Sequence, residues 1–300
     1  MNIKTDNEVA MVQIRGLEKR FGKTVALAGV DIDVQPGRII GLLGANGSGK
    51  STLLRHMVGL YIEDAGQCRT FGSEARNLGP DQLGRIGYVH QDGELLDWMT
   101  VAQHIRYVSA YYPNWDKQLE DEFIKDFDIP LKARVGTLSP GKRQQLAILL
   151  AIGFGPELLI LDEPAAGLDP IARSRFLDLL LSLIQDPNRT IIISSHILSD
   201  VEKVIDHAVI LREGILLRDC SFDDLREEFC KIRLSSLDGN LPEALGFEAV
   251  GPVQRSDKQA VLTIAAQPAQ QLNIKAAQLN CGIEVETLSL DEIYRIVVTA

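Results

Sequence analysis

From Val12 to about Ile39 the chain alternates apolar and polar side chains, with turns at Phe21-Gly22 and Gln35-Pro36-Gly37. A period of two puts successive side chains on opposite faces of a strand, so this stretch is expected to form an antiparallel β layer with one apolar face. The pattern then changes. Ile39-Ile-Gly-Leu-Leu43 is a strand-like run with no polar side chain, as befits a strand covered on both faces, and Thr52 to Val58 opens on a polar residue and continues as a helix apolar on one side. Met99 to about Ala133 has helical spacing interrupted at Pro113-Asn114, and Leu146 to Phe154 reads as a buried helix. Leu158-Leu-Ile-Leu161 and Ile191-Ile-Ile193 are again apolar runs of strand type. Past Leu217 helices are expected over Ser221–Glu228, Ala269–Leu279 and Leu290–Val298, with strands over Lys231–Ser236, Ala260–Ala265 and Gly282–Leu288. The pattern predicts a large domain over residues 1–220 and a small accessory domain with its own core over 221–300.

Between the first apolar strand and the one-sided helix lies Gly44-Ala-Asn-Gly-Ser-Gly-Lys-Ser51. It fits the phosphate-loop pattern G-x-x-x-x-G-K-[ST], and a strand before and a helix after are the context that pattern requires. Glycines at 44, 47 and 49 let the backbone turn tightly and aim N–H groups inward, and the helix N-terminus adds its partial positive charge. The loop is expected to hold a nucleotide polyphosphate, with Lys50 reaching the β- and γ-phosphates and Ser51 ligating Mg²⁺. A chance glycine-rich turn would not be expected in that position.

Two further segments fit a nucleotide. Asp162 and Glu163 stand at the C-terminal end of an apolar strand, where ligands of open α/β sheets bind. Asp162 can hold Mg²⁺ through its water shell, and Glu163 can accept a proton from an attacking water. In Leu138-Ser-Pro-Gly-Lys-Arg-Gln-Gln145, Ser139 is a good N-cap and Pro140 suits a first helical position. Lys142 and Arg143 in that first turn oppose the helix dipole, at a cost of a few tenths of a kcal/mol each unless something negative lies there. A phosphate would supply that charge.

Taken in order, these residues resemble the ATP-binding subunits of ABC transporters over roughly Val12 to Leu217. Gly44 to Thr52, with Asn46 and Ser48 in the turn, looks like the Walker A loop, Leu158 to Glu163 like Walker B with its catalytic carboxylate, and Leu138 to Gln144 like the signature. The resemblance implies that Phe21 lies against adenine with Val25 following on the same loop. It makes Gln91, in Tyr88-Val-His-Gln91, the Q-loop residue that contacts Mg²⁺ and couples to a membrane partner. Gly167-Leu-Asp-Pro170 becomes the D-loop, and His196 the switch histidine. Glu163, His196, Gln91 and Lys50 would then serve catalysis, and Ser51, Gln91 and Asp162 the metal. The implied fold is α/β: a P-loop NTPase core of ABC type with an antiparallel β subdomain, a helical subdomain at about 92–152, and a small C-terminal α+β domain.

The signature departs from the family pattern, because Pro140 replaces its first glycine and Lys142 its glutamine while Ser139 and Gly141 remain. In this family two subunits face head to tail, each ATP lying between one Walker A loop and the other subunit's signature. A second ATPase subunit, identical or paralogous, is therefore implied, with Ser139, Gly141 and Lys142 facing its nucleotide. Lys142 is expected to destabilise the isolated subunit slightly and to gain an anionic partner in the dimer. Leu96-Asp-Trp-Met99 suits either core packing or a membrane partner's helix, and Leu288 to Tyr294 resembles the tail of exporter subunits whose permease is a separate chain.

Composition narrows the rest. The 300 residues carry a net charge of −10, which argues against a nucleic-acid partner, since that needs a basic face. Cys68, Cys220, Cys230 and Cys281 are scattered without metal-ligand spacing and suggest reduced thiols. No run approaches the about 18 to 20 apolar residues that cross a bilayer, and Met1 to Glu8 lacks an apolar signal core. A transporter subunit of this kind would sit at the cytoplasmic face of the membrane, with the pore in another polypeptide. Of the rivals, an importer ATPase subunit stays open. A ribosome-acting ABC ATPase usually carries two cassettes where this chain has one Walker A, and a DNA-repair ATPase needs a coiled coil that the gap from Ser51 to Leu138 cannot hold.

Overall fold

The computed structural model describes residues 10–91 and 94–299, and the chain divides after Asp219 into two compact units. Met1 to Glu8, where no signal core is expected, and residues 92–93, at the expected start of the helical subdomain, lie outside the described residues.

In the first unit the alternating segment forms β1 (Val12–Phe21) and β2 (Thr24–Val34), antiparallel from Val12 opposite Val34 to Phe21 opposite Thr24. The apolar run is β3 (Ile39–Leu43), buried at every residue, and α1 (Lys50–Met57) follows the glycine loop. Next come β4 (Ala65–Thr70), β5 (Ser73–Glu74), the single turn α2 (Pro80–Leu83) and β6 (Ile86–Val89). Three helices come next: α3 (Val101–Ser109), α4 (Lys117–Asp126) and α5 (Pro140–Ile152). Each start is capped, α3 by Thr100 in a reciprocal box with Gln103, α4 by Asp116 and α5 by Ser139, so local chemistry sets where the helices begin. The unit closes with β7 (Leu158–Leu161), α6 (Pro170–Leu183), β8 (Thr190–Ser195), α7 (Leu198–Val201), β9 (His207–Arg212) and β10 (Ile215–Ser221).

Two sheets result. One is β2-β1-β4-β5 and the other β10-β9-β3-β8-β7-β6, in which β9, β3, β8, β7 and β6 are parallel. Val12, Ile14, Leu27 and Ile32 of the first pack with Leu53 and Leu54 of α1 and with Ile40, Leu42, Ile160 and Ile192 of the second in one buried cluster. Burial of this apolar surface, at about 25 cal/mol per Å², holds the layers together. The sequence pattern does not point to β4, and the reason is visible: only Cys68 and Thr70 of its six residues are buried, too few for a periodic signal.

The second unit contains α8 (Phe222–Glu227), β11 (Phe229–Ser236), β12 (Gln254–Arg255), β13 (Gln259–Ala265), α9 (Ala269–Gln278), β14 (Cys281–Glu286) and α10 (Leu290–Thr299). Its sheet, β12-β13-β11-β14, is antiparallel. Ile232, Leu234, Leu262 and Ile264 meet Leu272 and Ala276 of α9 in a separate small core.

Candidate active site

Strand register gathers the site. The β7–β8 ladder runs to Leu161 opposite Ile193 and the β3–β8 ladder to Leu43 opposite Ser195. Gly44, Asp162-Glu163 and Ser194 to His196 therefore emerge together at the C-terminal edge of three adjacent parallel strands, where such sheets bind ligands.

The loop after β3 leads into α1 through Gly49, at φ 107°, and no side chain caps the helix. A Cβ on Gly49 would lie 2.6 Å from the Ala26 carbonyl oxygen, so glycine is required both for the turn and for the close approach of β2. Lys50 is buried; its Nζ donates to the carbonyls of Gly44 at 2.7 Å and Ala45 at 3.3 Å and lies 3.3 Å from Glu163 Oε1. The turn Glu213-Gly214 braces the loop from behind, Gly214 N–H donating to the Ser48 carbonyl at 2.9 Å while its own carbonyl accepts from Ala28 N–H at 2.9 Å. Sequence reading misses Gly214; the signal is a glycine between the apolar runs that form β9 and β10.

Opposite the loop, Asp162 is fully buried. Its Oδ1 accepts from Ser194 Oγ at 2.8 Å, and the same Oγ accepts from Glu163 N–H at 2.8 Å, so one hydroxyl fixes both acidic residues. In the sequence Ser194 stands out only as a neighbour of His196. Glu163 adopts φ 50°, a left-handed conformation costing on the order of 1–3 kcal/mol, which the surrounding bonds hold in place. Its Oε2 accepts from His196 Nδ1 at 2.7 Å and from His196 N–H at 3.3 Å. Nearby Tyr88 is pushed up to about 12 by burial and the Asp162 charge, so its phenol stays protonated.

These residues fit a divalent ion. Asp162 Oδ2 is buried without a hydrogen-bond partner, an orphan acceptor that a cation or its water would satisfy. Mg²⁺ is an ion that keeps several waters and takes few protein ligands, so one such oxygen beside a hydroxyl suits it.

A cleft of about 370 Å³ brings together Val25, Asn46, Gly47, Gly49, Lys50, Ser51, Thr52, Gln91 and Glu163. Gly44, Ser48 and Asp162 are buried residues outside its lining. Phe21 is 45% exposed and also outside the lining; its ring meets Tyr61 edge-on at 5.4 Å, and its strand partner Thr24 is the residue at the rim.

Ser139, Gly141 and Lys142 lie away from this cleft. Ser139 Oγ accepts from Lys142 N–H at 3.3 Å, and a Cβ on Gly141 would stand 2.8 Å from the Gly167 carbonyl oxygen, so Gly141 packs closely against Gly167. The charge of Lys142 needs no ligand. Its Nζ donates to the carbonyls of Phe127 and, at 3.0 Å, Asp128, just past the C-terminus of α4, and Arg143 pairs with Asp97 at 2.5 Å. The expectation that Lys142 destabilises the single subunit is therefore corrected, because the unfavourable dipole at the start of α5 is offset by the favourable one at the end of α4.

Residues 27–166 match the family model described as ABC transporter. The chain is 35% identical over 219 residues to the bacitracin transport ATP-binding protein BcrA of Bacillus licheniformis, covering 72% of each. It is 32% identical over 210 residues to the Nod factor export ATP-binding protein I of Cupriavidus metallidurans, covering 68% of this chain and 69% of that one. With the phosphonates import ATP-binding protein PhnC of Frankia casuarinae it shares 33% identity over 234 residues, 72% of this chain and 92% of that one. A solved ATP-binding subunit of an ABC transporter superposes with a TM-score of 0.65 at 27% identity, over 72% of this chain and 92% of that one. The chain belongs to the ABC transporter family as an ATP-binding subunit. No helix among the described residues is long and apolar enough to cross a membrane.

Proposed function

We propose that this chain hydrolyses ATP to drive export through a separate permease chain at the cytoplasmic face of the membrane, working as a dimer with an identical or paralogous subunit. The observation that carries the hydrolytic role is Glu163: a buried carboxylate on a strained backbone, its N–H held by Ser194 and its Oε2 by His196, with Oε1 near Lys50. Glu163 is the base that takes a proton from water, His196 holds it and senses the γ-phosphate, and Lys50 moves from the loop carbonyls to phosphate. The adenine side is formed by Val25 with Phe21, and the phosphates by Gly44 to Thr52. Mg²⁺ would be held by Ser51, Asp162 and Gln91, where it neutralises charge developing on the phosphates. Ser139 and Gly141, and Lys142 if released from α4, face the nucleotide of the second subunit.

Glu163→Gln keeps the shape and removes the proton acceptor. ATP should bind and persist, turnover should fall about 10²-fold or more, and light scattering should show an ATP-trapped dimer. Near-normal hydrolysis with only monomer would overturn the roles of Glu163 and His196. Export rests on the name of the Nod factor relative and on the tail Leu288 to Tyr294; the phosphonate relative favours import instead. Co-purifying the permease and asking whether transport requires an external binding protein decides between them, since such a requirement means import.

A further inference from the structure

Behind the cleft, α1 carries an arginine with no part in the hydrolytic roles assigned so far. Arg55 lies four residues after Ser51, so it stands one turn along the same side of the helix. Its Nη1 donates to the Tyr61 hydroxyl at 2.7 Å, and its Nη2 lies 2.6 Å from His90 Nε2. A guanidinium has donors only and does not lose its proton in proteins, so Nε2 of His90 is the acceptor and the ring proton sits on Nδ1.

Tyr61 and His90 lead to different parts of the nucleotide cleft's lining, and Arg55 also interacts with the Tyr88 hydroxyl on the His90 side. The Tyr61 ring, 5.4 Å from the guanidinium carbon, packs edge-on against Phe21, the strand partner of Thr24, and Thr24 to Ala26 line the cleft. On the other side His90, whose ring meets Tyr88 edge-on at 6.0 Å, immediately precedes Gln91, which lines the cleft as well. A planar fork with two donor arms can hold both at once, whereas a lysine ammonium is a single point of charge.

We propose that Arg55 is a positioning residue that holds Gln91 in the cleft by clamping His90 to Tyr61 behind the phosphate-loop helix. The proposal rests on the reading of Gln91 as a contact of the Mg²⁺-bound nucleotide. Arg55 touches no nucleotide in this scheme; it fixes the segment that does.

The test uses the full chain with Arg55→Lys, Gln91→Ala and the double variant, checked for folding by thermal melting. Affinity for a fluorescent ATP analogue is measured with Mg²⁺ and with chelator, and the His90 tautomer is read by nitrogen NMR. Arg55→Lys should weaken Mg²⁺-dependent binding about tenfold, the loss of one to two charge-assisted hydrogen bonds' worth of positioning, and metal-free binding less than about twofold. The double variant should be no weaker than Gln91→Ala alone, and the fixed Nδ1–H tautomer of His90 should be lost. Tyr61→Phe, which removes one arm's acceptor and keeps the ring against Phe21, should shift binding the same way but less, and it serves if Arg55→Lys does not fold. Additive losses in the double variant, equal losses with and without Mg²⁺, or an unchanged His90 signal would overturn the proposal. If Gln91→Ala binds the Mg²⁺-nucleotide normally, the reading of Gln91 falls and takes the clamp with it; if Gln91→Ala weakens binding but Arg55→Lys does not, the clamp alone falls.

Discussion

Two helices in the first unit start from glycine-bearing segments, α1 after Gly49 and α5 at Ser139-Pro140-Gly141, and they treat their N-terminal amides in opposite ways. The start of α1 has no side-chain cap, carries the buried Lys50, and looks across a cleft at the fixed carboxylate of Glu163, with Asp162 buried just behind the lining. That of α5 is capped by its own serine, and its lysine is bound to the carbonyls past α4. Uncapped amides beside buried, partly orphaned polar groups leave donors and acceptors for water or a ligand to satisfy, whereas a capped start has fewer to offer. On the proposed function, the first is a site within one chain, and the second takes part in one only when another subunit brings its nucleotide to it.

The largest expected effect breaks the first half of this comparison. Lys50→Ala removes the charge around which the loop is folded, and affinity for an ATP analogue at equilibrium should fall about 10²-fold or more, about 3 kcal/mol. Unchanged affinity would mean that α1 is not the phosphate site.

Ser194→Ala tests the carboxylates facing α1. It leaves the buried Glu163 N–H and Asp162 Oδ1 without the hydroxyl that joins them, so unfolding in urea should show a loss of about 1–3 kcal/mol, with hydrolysis impaired as well.

His56 separates the helices by pH. It is buried on α1, its Nδ1 2.7 Å from the Thr52 carbonyl and its Nε2 without a partner, and burial outweighs that carbonyl to hold the imidazole below its ordinary value. The unfolded chain therefore binds its proton at higher pH than the folded one, and this contribution to stability is present above about pH 6.5 and lost as pH falls below it. Urea midpoints measured between about pH 7.5 and pH 5.5 should decline, and His56→Phe should flatten that decline. His104, also lowered by burial, leaves a residual slope.

The smallest effect belongs to α5. Lys142→Gln gives up hydrogen bonds worth about 0.5–1.5 kcal/mol to the carbonyls past α4, but also removes a base from a helix start, worth a few tenths, so stability should fall by less than about 1 kcal/mol and nucleotide binding to the single chain should not change. A larger role would appear in the salt dependence of ATP-driven dimerisation, compared with and without Lys142→Gln on the Glu163→Gln background. Coinciding salt slopes for the two chains would show that the lysine stays on α4 in the dimer.

Local chemistry explains why so much is legible in advance. The strand before Gly44 and the helix after it are readable because periodicity and glycine content are properties of neighbouring residues, and the cap at Ser139 is readable for the same reason. The partners of Lys142 are not: Phe127 and Asp128 are brought to it by the packing of α4, and nothing in Leu138 to Gln145 signals their carbonyls. Ser194 is in view as a residue and invisible as a bridge, because its two partners lie just past the neighbouring strand. Arg55 is likewise one polar residue on a helix until folding sets Tyr61 and His90 on either side of it.

By itself the sequence determined the first antiparallel strands, the apolar strands that lead to the site, the phosphate loop and the identity of the acidic pair, since each is encoded in a short window where turn, cap and side-chain chemistry act on adjacent atoms. Only the tertiary structure decided that Glu163 takes a left-handed backbone between Ser194 and His196, that Lys50 rests on Gly44 and Glu163, and that Lys142 is satisfied within its own chain. Those outcomes depend on strand register and helix packing, which bring together residues far apart in the chain and fix distances that no local pattern contains.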